Sequence, residues 1–445
     1  MTDLPALVSR FGSPLYVYRL ESVRDALLDL RRALPEPTTL YYSFKANPHP
    51  DIARELQLGG CHGELSSTGE LAAALQAGFD GGRCLYTGPA KSREEISAAI
   101  RAGVRRFSVE SAADLRGVGA VAAALGVTAE CLVRISTRSV GASSLRMGGG
   151  AQFGVDAGEV LADPRQFGDI DGARVVGAHI FPLSNAHDED ALIAEFTASI
   201  ELAGRLRDGG LPMRVIDLGG GFAAPYAQPG ERPRYPRLLA ALESALDARL
   251  AGWREGNPEV AFESGRHLVA ESGTLVTTVV DIKEDPGRSF VLLDSGINHL
   301  GGMAGLGRLL RPAATPRRTD GDEYAVRSRR PTDGGPGTAI EDGGRAGRTT
   351  LVGPLCTPAD VLGRDVPVGK VAGGELLIFP NVGAYGLTAS LLAFLSRPTP
   401  TEIVLRDGRV TSATRLELVR TAVEDEPPAG PEPASQPPEG ERSHP

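Results

Sequence analysis

The feature that most constrains this chain is an alternation of short apolar runs with longer amphipathic stretches. After an opening PLYVYR run, eight strand-length segments follow in order: TLYYSF, GELSS, RCLYTG, RRFSVE, ECLVRIS, RVVGAHIF, RVIDLGG and VAFES. Between most of them lie helical patterns such as DIARELQLGG, GELAAALQAG, REEISAAIRAG and PRLLAALESALDARLAG, several closing on glycine, the usual helix stop. Leu20, Val23, Leu27 and Leu30 repeat at helical spacing ahead of the first unit. Eight βα units over roughly 240 residues is the size of a (β/α)8 barrel. A doubly wound open sheet fits the same pattern, because strand order is not written in a single sequence.

From about Leu268 the pattern changes. TLVTTVVDIKE, SFVLLDSG, TTLVGPLC, ELLIFPN and TEIVLRDGRVTSATRLELV are β-branched, strand-length and separated by turn residues. The expected organisation is an α/β barrel over residues 28–270, with a β-sandwich or β-barrel domain built from 1–27 and 271–421. A Gly-, Pro-, Arg- and Asp-rich insertion at 312–347 reads as a long surface loop, and 422–445 as a low-complexity disordered tail. A length of 445 residues agrees with two domains.

Charge and composition exclude some functions. A net charge of −9 argues against non-specific nucleic-acid binding. Apolar runs are interrupted too soon to span a bilayer, and MTDLPALVSRFGSP lacks a signal-peptide pattern, so a cytoplasmic protein is expected. Cys61, Cys84, Cys131 and Cys356 are widely spaced and read as free thiols, with no metal-ligand pattern among them.

Barrel enzymes carry their reactive groups at the C-terminal ends of the strands. Lys45 follows the first barrel strand and is one of only four lysines (with Lys91, Lys283 and Lys370). A lone lysine there is usually a solvated charge, but a buried one with a lowered pKa can bond to an aldehyde. Gly219, Gly220 and Gly221 follow the seventh strand, where bare backbone N–H groups can approach a phosphate; most such triplets are simply loops. Glu263-Ser264-Gly265-Arg266 follows the eighth. A carboxylate facing a pyridine nitrogen keeps that nitrogen protonated, and an arginine bonds phosphate; otherwise the two form a surface ion pair of little value. An amine, a phosphate cradle and a pyridinium partner on three strand ends point together to pyridoxal 5'-phosphate.

With these residues in view, YSFKAN, GELSSTGEL, DLGGGF, ESGRHLVAESG, GPLCTPAD and NVGAYG resemble the ornithine/diaminopimelate decarboxylase family, the fold-type III pyridoxal-phosphate enzymes. The resemblance runs in order from about Pro14 to Val419, apart from the insertion. It implies that Lys45 holds the cofactor and that Glu263 meets its ring nitrogen. Ser184, Gly219, Gly220, Gly221, Gly265, Arg266 and Tyr385 are implied at the phosphate, and Glu64, Glu70 and Arg134 near the lysine. Cys356 is implied as the acid that protonates the product, and Asp360 as a substrate contact. In the family, Cys356, Asp360 and in some members Tyr385 enter from or beside a partner subunit, so the resemblance implies a homodimer with shared active sites.

Three departures from the family pattern bear on substrate. The segment His179-Ile180-Phe181-Pro182-Leu183-Ser184 stands where many members carry HxGS; Phe181 takes the ring-stacking place, with His179 beside it, and Leu183 replaces a glycine. Thr357 follows the cysteine where diaminopimelate and ornithine decarboxylases carry an acid for a distal amine. RMGGGAQFG, DSGINHLGGMAG and PLCTP are more similar to a subgroup in secondary metabolism (antibiotic biosynthesis among its roles) that decarboxylates glutamyl or methylaspartyl groups tethered to an acyl carrier protein. A free amino-acid decarboxylase of diaminopimelate type, an amino-acid racemase and a catalytically silent regulatory homologue stand as alternatives. Racemases in a related family pair the ring nitrogen with arginine, which Glu263 is not.

Overall fold

A computed structural model describes residues 3–136, 153–181, 184–286, 288–301, 314–318 and 348–422. Leu183, most of RMGGGAQFG, all of the 312–347 insertion except 314–318, and the tail beyond 422 lie outside the described residues.

The first strand, β1 (Leu15–Arg19), belongs to a second sheet and is taken up below. The run that follows is β2 (Thr39–Ser43), β3 (His62–Leu65), β4 (Cys84–Tyr86), β5 (Arg106–Val109), β6 (Ala129–Ser136), β7 (Val155–Asp156), β8 (Ala173–Ile180), β9 (Val215–Asp217) and β10 (Glu259–Ser264). Apart from the two-residue β7, which extends β6, these strands pair in parallel in the order β2-β3-β4-β5-β6-β8-β9-β10. β10 then pairs with β2, from Ala261 opposite Thr39 to Ser264 opposite Tyr42, which closes the barrel and sets aside the open sheet.

The two-residue period of the strands explains the packing. Tyr41, Leu85, Leu132, Val176, Val215 and Ala261 fill the barrel interior as one buried cluster. Their neighbours Tyr42, Cys131, Val133, Val175, Ile216 and Phe262 face the helices and join the main core. Helix Arg93–Arg101 opens on a capping box of Ser92 and Glu95, and Thr68–Ala77 on Ser67. The last βα unit has only a four-residue helix, Arg266–Val269. Helix Leu20–Ala33 packs against it and against Pro50–Leu58, so a helix from before the first barrel strand completes the outer ring.

The second sheet holds β11 (Gly273–Asp285), β12 (Arg288–Leu293), β13 (Arg317–Arg318), β14 (Arg348–Val352), β15 (Val361–Val366), β16 (Leu376–Pro380), β17 (Thr401–Arg406) and β18 (Arg409–Arg415). β1 sits inside it, antiparallel to β11 and parallel to β17. β11 is bent by an irregularity between Val279 and Asp281, so its first half pairs with β1 and β16 and its second half with β12. TEIVLRDGRVTSATR is a hairpin turning at Asp407-Gly408, both with positive φ, as the Asp-Gly signature predicts. Elements not expected from sequence include β15, a helix ahead of β1, and β13, which lies inside the expected 312–347 loop and pairs with β16. Strand β15 contains Gly363 and a left-handed Asp365, which blur its alternation; helix Leu4–Phe11 is a short one capped by Asp3. Among the described residues no helix is long and apolar enough to cross a membrane.

Candidate active site

The end of β2 turns into a single 3-10 turn, Phe44–Ala46, that lifts Lys45 out of the apolar strand. Its Nζ donates to Glu64 Oε2 at 3.1 Å, from the end of β3, and lies 5.9 Å from the centre of the Phe181 ring. Burial disfavours the ammonium, yet attraction to Glu64 and Glu263 outweighs it and the pKa is raised. This corrects the expected lowering: the side chain is 40% open to the cleft, and two carboxylates face it. Glu64 is buried and opposed by desolvation, but Lys45 and the Thr87 hydroxyl bonded to its Oε1 hold its pKa below the usual value. Ser66 Oγ reaches the same oxygen at 3.4 Å. Glu70 accepts from Ser66 N at 2.6 Å, and burial pushes its pKa up to about 7.

Glu263, at the end of β10, is 2% exposed and its Oε1 lies 3.3 Å from His179 Nε2. Neither atom makes a hydrogen bond among the described residues, and Asp217 Oδ2 is likewise unpartnered. Burial, with the nearby Glu64 and Asp217, pushes the Glu263 pKa well above the usual carboxylate range. Asp217 is pushed up to about 7, mainly by burial, while its Oδ1 accepts from Gly219 N at 2.8 Å. Donor atoms of His179, Asp217 and Glu263 lie within 4.8 Å of one another. Arg134, paired with His179 across β6 and β8, has Nη1 3.5 Å from Glu110 Oε1.

Beside Lys45 a cleft is lined by Phe181, Ser184, Gly220, Gly221, Gly265, Arg266 and Tyr385, together with Asn185. A Cβ at Gly220 would stand 2.5 Å from the Glu263 carbonyl oxygen, and Gly219 has φ +65°. The loop therefore needs glycine to lie this close to β10. A Cβ at Gly265 would meet Ala46 Cβ at 2.8 Å, so that glycine lets the end of β10 approach the lysine turn. Arg266 lies with Cζ 5.1 Å from the Tyr385 ring centre, and Tyr385 N donates to Ala46 O at 2.7 Å. Arg266 and Glu263 thus do not form the surface ion pair that the sequence left open.

Cys356 is an exposed free thiol, not a buried packing residue, and it is not among the residues lining this cleft. Thr357 Oγ1 accepts from Ala359 N at 3.3 Å. Asp360, expected to contact substrate, is buried; its two oxygens accept from Ile297 N at 2.8 Å and Leu355 N at 2.7 Å. The carboxylate braces the loop that carries Cys356 and is not among the described residues lining the cleft around Lys45. Thr87, Asp217, Ser66 and Asn185 were not singled out as site residues from sequence. A hydroxyl, carboxamide or carboxyl inside an apolar strand or its loop has no spacing signal, and only the fold brings Thr87 and Ser66 to Glu64, Asn185 to the cleft and Asp217 to Glu263.

Residues 20–270 match the family of pyridoxal-dependent decarboxylases, over its pyridoxal-binding domain. The chain belongs to this family. It is a pyridoxal-phosphate-dependent amino-acid decarboxylase of the ornithine/diaminopimelate decarboxylase type. It is 30% identical over 417 residues to L-glutamyl-[BtrI acyl-carrier protein] decarboxylase of Niallia circulans, covering 91% of this chain and 92% of that one. It is 31% identical over 399 residues to diaminopimelate decarboxylase of Deinococcus radiodurans, covering 89% and 90%. The crystal structure of diaminopimelate decarboxylase from Helicobacter pylori complexed with L-lysine superposes with a TM-score of 0.74 at 25% identity, covering 92% of this chain and 95% of that one. The decarboxylase's cleft fits its cofactor on local grounds. It offers an accessible amine, a cradle only glycine can form, a guanidinium beside it, and a buried carboxylate oxygen without a partner among the described residues.

Proposed function

We propose that this enzyme decarboxylates an acidic aminoacyl group presented by an acyl carrier protein, and that it works as a homodimer with shared sites. The observation that carries the substrate reading is the pair Thr357 and Asp360. The residue after Cys356 has no charge, and the nearby carboxylate is spent on two backbone amides. A free diamino acid brings a distal ammonium that needs an available acid, because an unpaired buried charge is costly. A tethered acidic substrate has no such need, and the Niallia circulans relative acts on a glutamyl group of that kind. The rival reading, a diaminopimelate decarboxylase, is favoured by the 31% identity to the Deinococcus radiodurans enzyme.

When bound, pyridoxal phosphate supplies an electron sink for the bonds at Cα of an amino acid joined to it. Lys45 would hold it, with Glu64 at 3.1 Å in reach of the ammonium proton that the amine must lose first. Gly219, Gly220, Gly221, Gly265, Ser184 and Arg266 would hold the phosphate with Tyr385, and Glu263 would face the ring nitrogen. Phe181 would cover the ring, with His179 beside Glu263. Orienting the substrate carboxylate selects which Cα bond breaks; Arg134, opposite His179 in the strand register, would meet that carboxylate. Carbon dioxide would leave from Cα, and the thiol of Cys356, reaching the site from a second copy of the chain, would give the proton that replaces it.

The test is release of carbon dioxide from glutamyl carrier protein, free glutamate, ornithine and diaminopimelate, compared as kcat/KM. The expected result favours the tethered glutamyl group by about 100-fold or more, the scale on which a site discriminates by one unpaired polar group. Preferred turnover of free diaminopimelate would overturn the reading.

A further inference from the structure

We propose that Ser108 is a positioning residue of this site: its hydroxyl bonds His179 Nδ1, so the imidazole keeps its single N–H on Nε2, toward the carboxyls of Glu263 and Asp217. The functional half of this inference rests on Glu263 facing the cofactor's ring nitrogen, as argued above.

Ser108 lies on β5 and His179 on β8, and both are buried. Ser108 Oγ stands 2.9 Å from His179 Nδ1 and has no other hydrogen-bond partner among the described residues. Burial, then the charges of Arg134 and Lys45, push the His179 pKa well below the usual value, which favours the neutral ring. A neutral imidazole has one N–H, and the bond made by one nitrogen decides the state of the other. On the Nε2 side stand Glu263 Oε1 at 3.3 Å and Asp217, whose Oδ2 has no partner among the described residues.

Two arrangements are open to the ring. With the hydrogen on Nδ1, the bare Nε2 lone pair faces carboxyl oxygens, and acceptors converge unless an acid takes up a proton. With the hydrogen on Nε2, a donor faces those oxygens, and the Ser108 O–H finds its acceptor in Nδ1. Even when Glu263, whose pKa is raised, supplies the proton facing Nε2, the first arrangement leaves the Ser108 hydroxyl hydrogen without an acceptor, whereas the second gives it Nδ1, and buried unmatched donors are expensive. It also has a chemical consequence. A donor beside Glu263 favours the ionised carboxylate, the form a protonated ring nitrogen needs. Without the hydroxyl, the ring is free to move its hydrogen to Nδ1, and Glu263 then holds a proton against Nε2 and loses its charge.

The test compares Ser108→Val with Ser108→Thr, which share a shape and differ in a methyl against a hydroxyl. The chain has seven histidines, so nitrogen NMR of protein with labelled histidine, assigned through His179→Gln, reads the ring directly without cofactor. Wild type and Ser108→Thr should show the Nε2–H form. Ser108→Val should show the Nδ1–H form or a mixture, with kcat down about 10-fold, KM little changed and the cofactor's absorption band shifted in its pH dependence. An unchanged ring form in Ser108→Val, or equal impairment of Val and Thr, would overturn the proposal. Should Ser108→Val fail to fold, Ser108→Ala enters the same comparison. A wild type that binds no cofactor sinks the proposed function instead, while the NMR of the cofactor-free chain still decides the Ser108–His179 bond.

Discussion

At the scale of single residues, the site sets an amine between two carboxylates with opposite tasks. Lys45 and Thr87 favour the ionised form of Glu64, whereas Glu263 is buried without a hydrogen-bond partner on Oε1 among the described residues. Lys45→Ala should remove the cofactor's absorption band and lower turnover by at least about 10³-fold, the scale of losing a covalent partner; borohydride should trap the label on Lys45 in wild type. Glu263→Gln keeps the shape and removes the charge. Its kcat/KM should fall about 10²-fold, as for loss of one preorganised electrostatic group, with a melting temperature no lower than wild type because a buried acid is gone. Activity within threefold of wild type would refute the ring-nitrogen role. Lys45, Glu263 and Gly219–Gly221 were legible in the sequence because each follows an apolar strand and each has a chemistry of its own. Thr87 and Ser108 were not, because what matters is a partner: Ser108 meets a histidine 71 residues away.

At the scale of elements, two joints carry the site. The loop after β9 lies on β10 so closely that Gly220→Ala puts Cβ 2.5 Å from a backbone oxygen that cannot swing aside. That variant should lose at least about tenfold in cofactor affinity, measured by fluorescence titration, and melt several degrees lower; a clash with backbone costs on the order of 1–3 kcal/mol. The second joint ties β1 to β17, where buried Glu402 accepts from Tyr18 OH at 2.9 Å and Tyr18 packs against His49, four residues after Lys45. Burial pushes the Glu402 pKa up to about 7, while the Tyr18 bond pulls the other way. A carboxyl raised in the folded state contributes stability that is complete below its unfolded pKa, near 4.5, and lost as pH rises through 7. The unfolding free energy of wild type relative to Glu402→Gln should therefore fall by on the order of 3 kcal/mol between pH 4.5 and 8. A difference that does not vary with pH would show that folding leaves the Glu402 pKa at its unfolded value. The β-branched run that holds β17 and β18 was visible in the sequence, but this joint was hidden, since it pairs residue 18 with residue 402.

At the scale of the whole molecule, the chain's two ends build one sheet, and the barrel strands were readable because each alternates between an inner cluster and the helices. Strand β15 was not, since glycine and a left-handed aspartate interrupt its pattern. Neither pattern says how two copies meet, and here the position of Cys356 becomes an argument. The thiol is exposed and does not line the cleft around Lys45, although the proposed chemistry needs a proton donor at the substrate's Cα. Within one chain, Asp360 fixes the cysteine's loop through two backbone amides and points no acid into the cleft. A second copy of the chain, related by a twofold axis, can supply the missing group to each site reciprocally. Lys45→Ala and Cys356→Ala should then each be inactive alone. Mixed in equal amounts and allowed to exchange subunits, half of the dimers are mixed, and each of these has one site with both intact residues. About a quarter of wild-type activity should return. If instead Lys45 and Cys356 serve the same chain's site, every site in the mixture lacks one of them and activity stays at the level of the single variants.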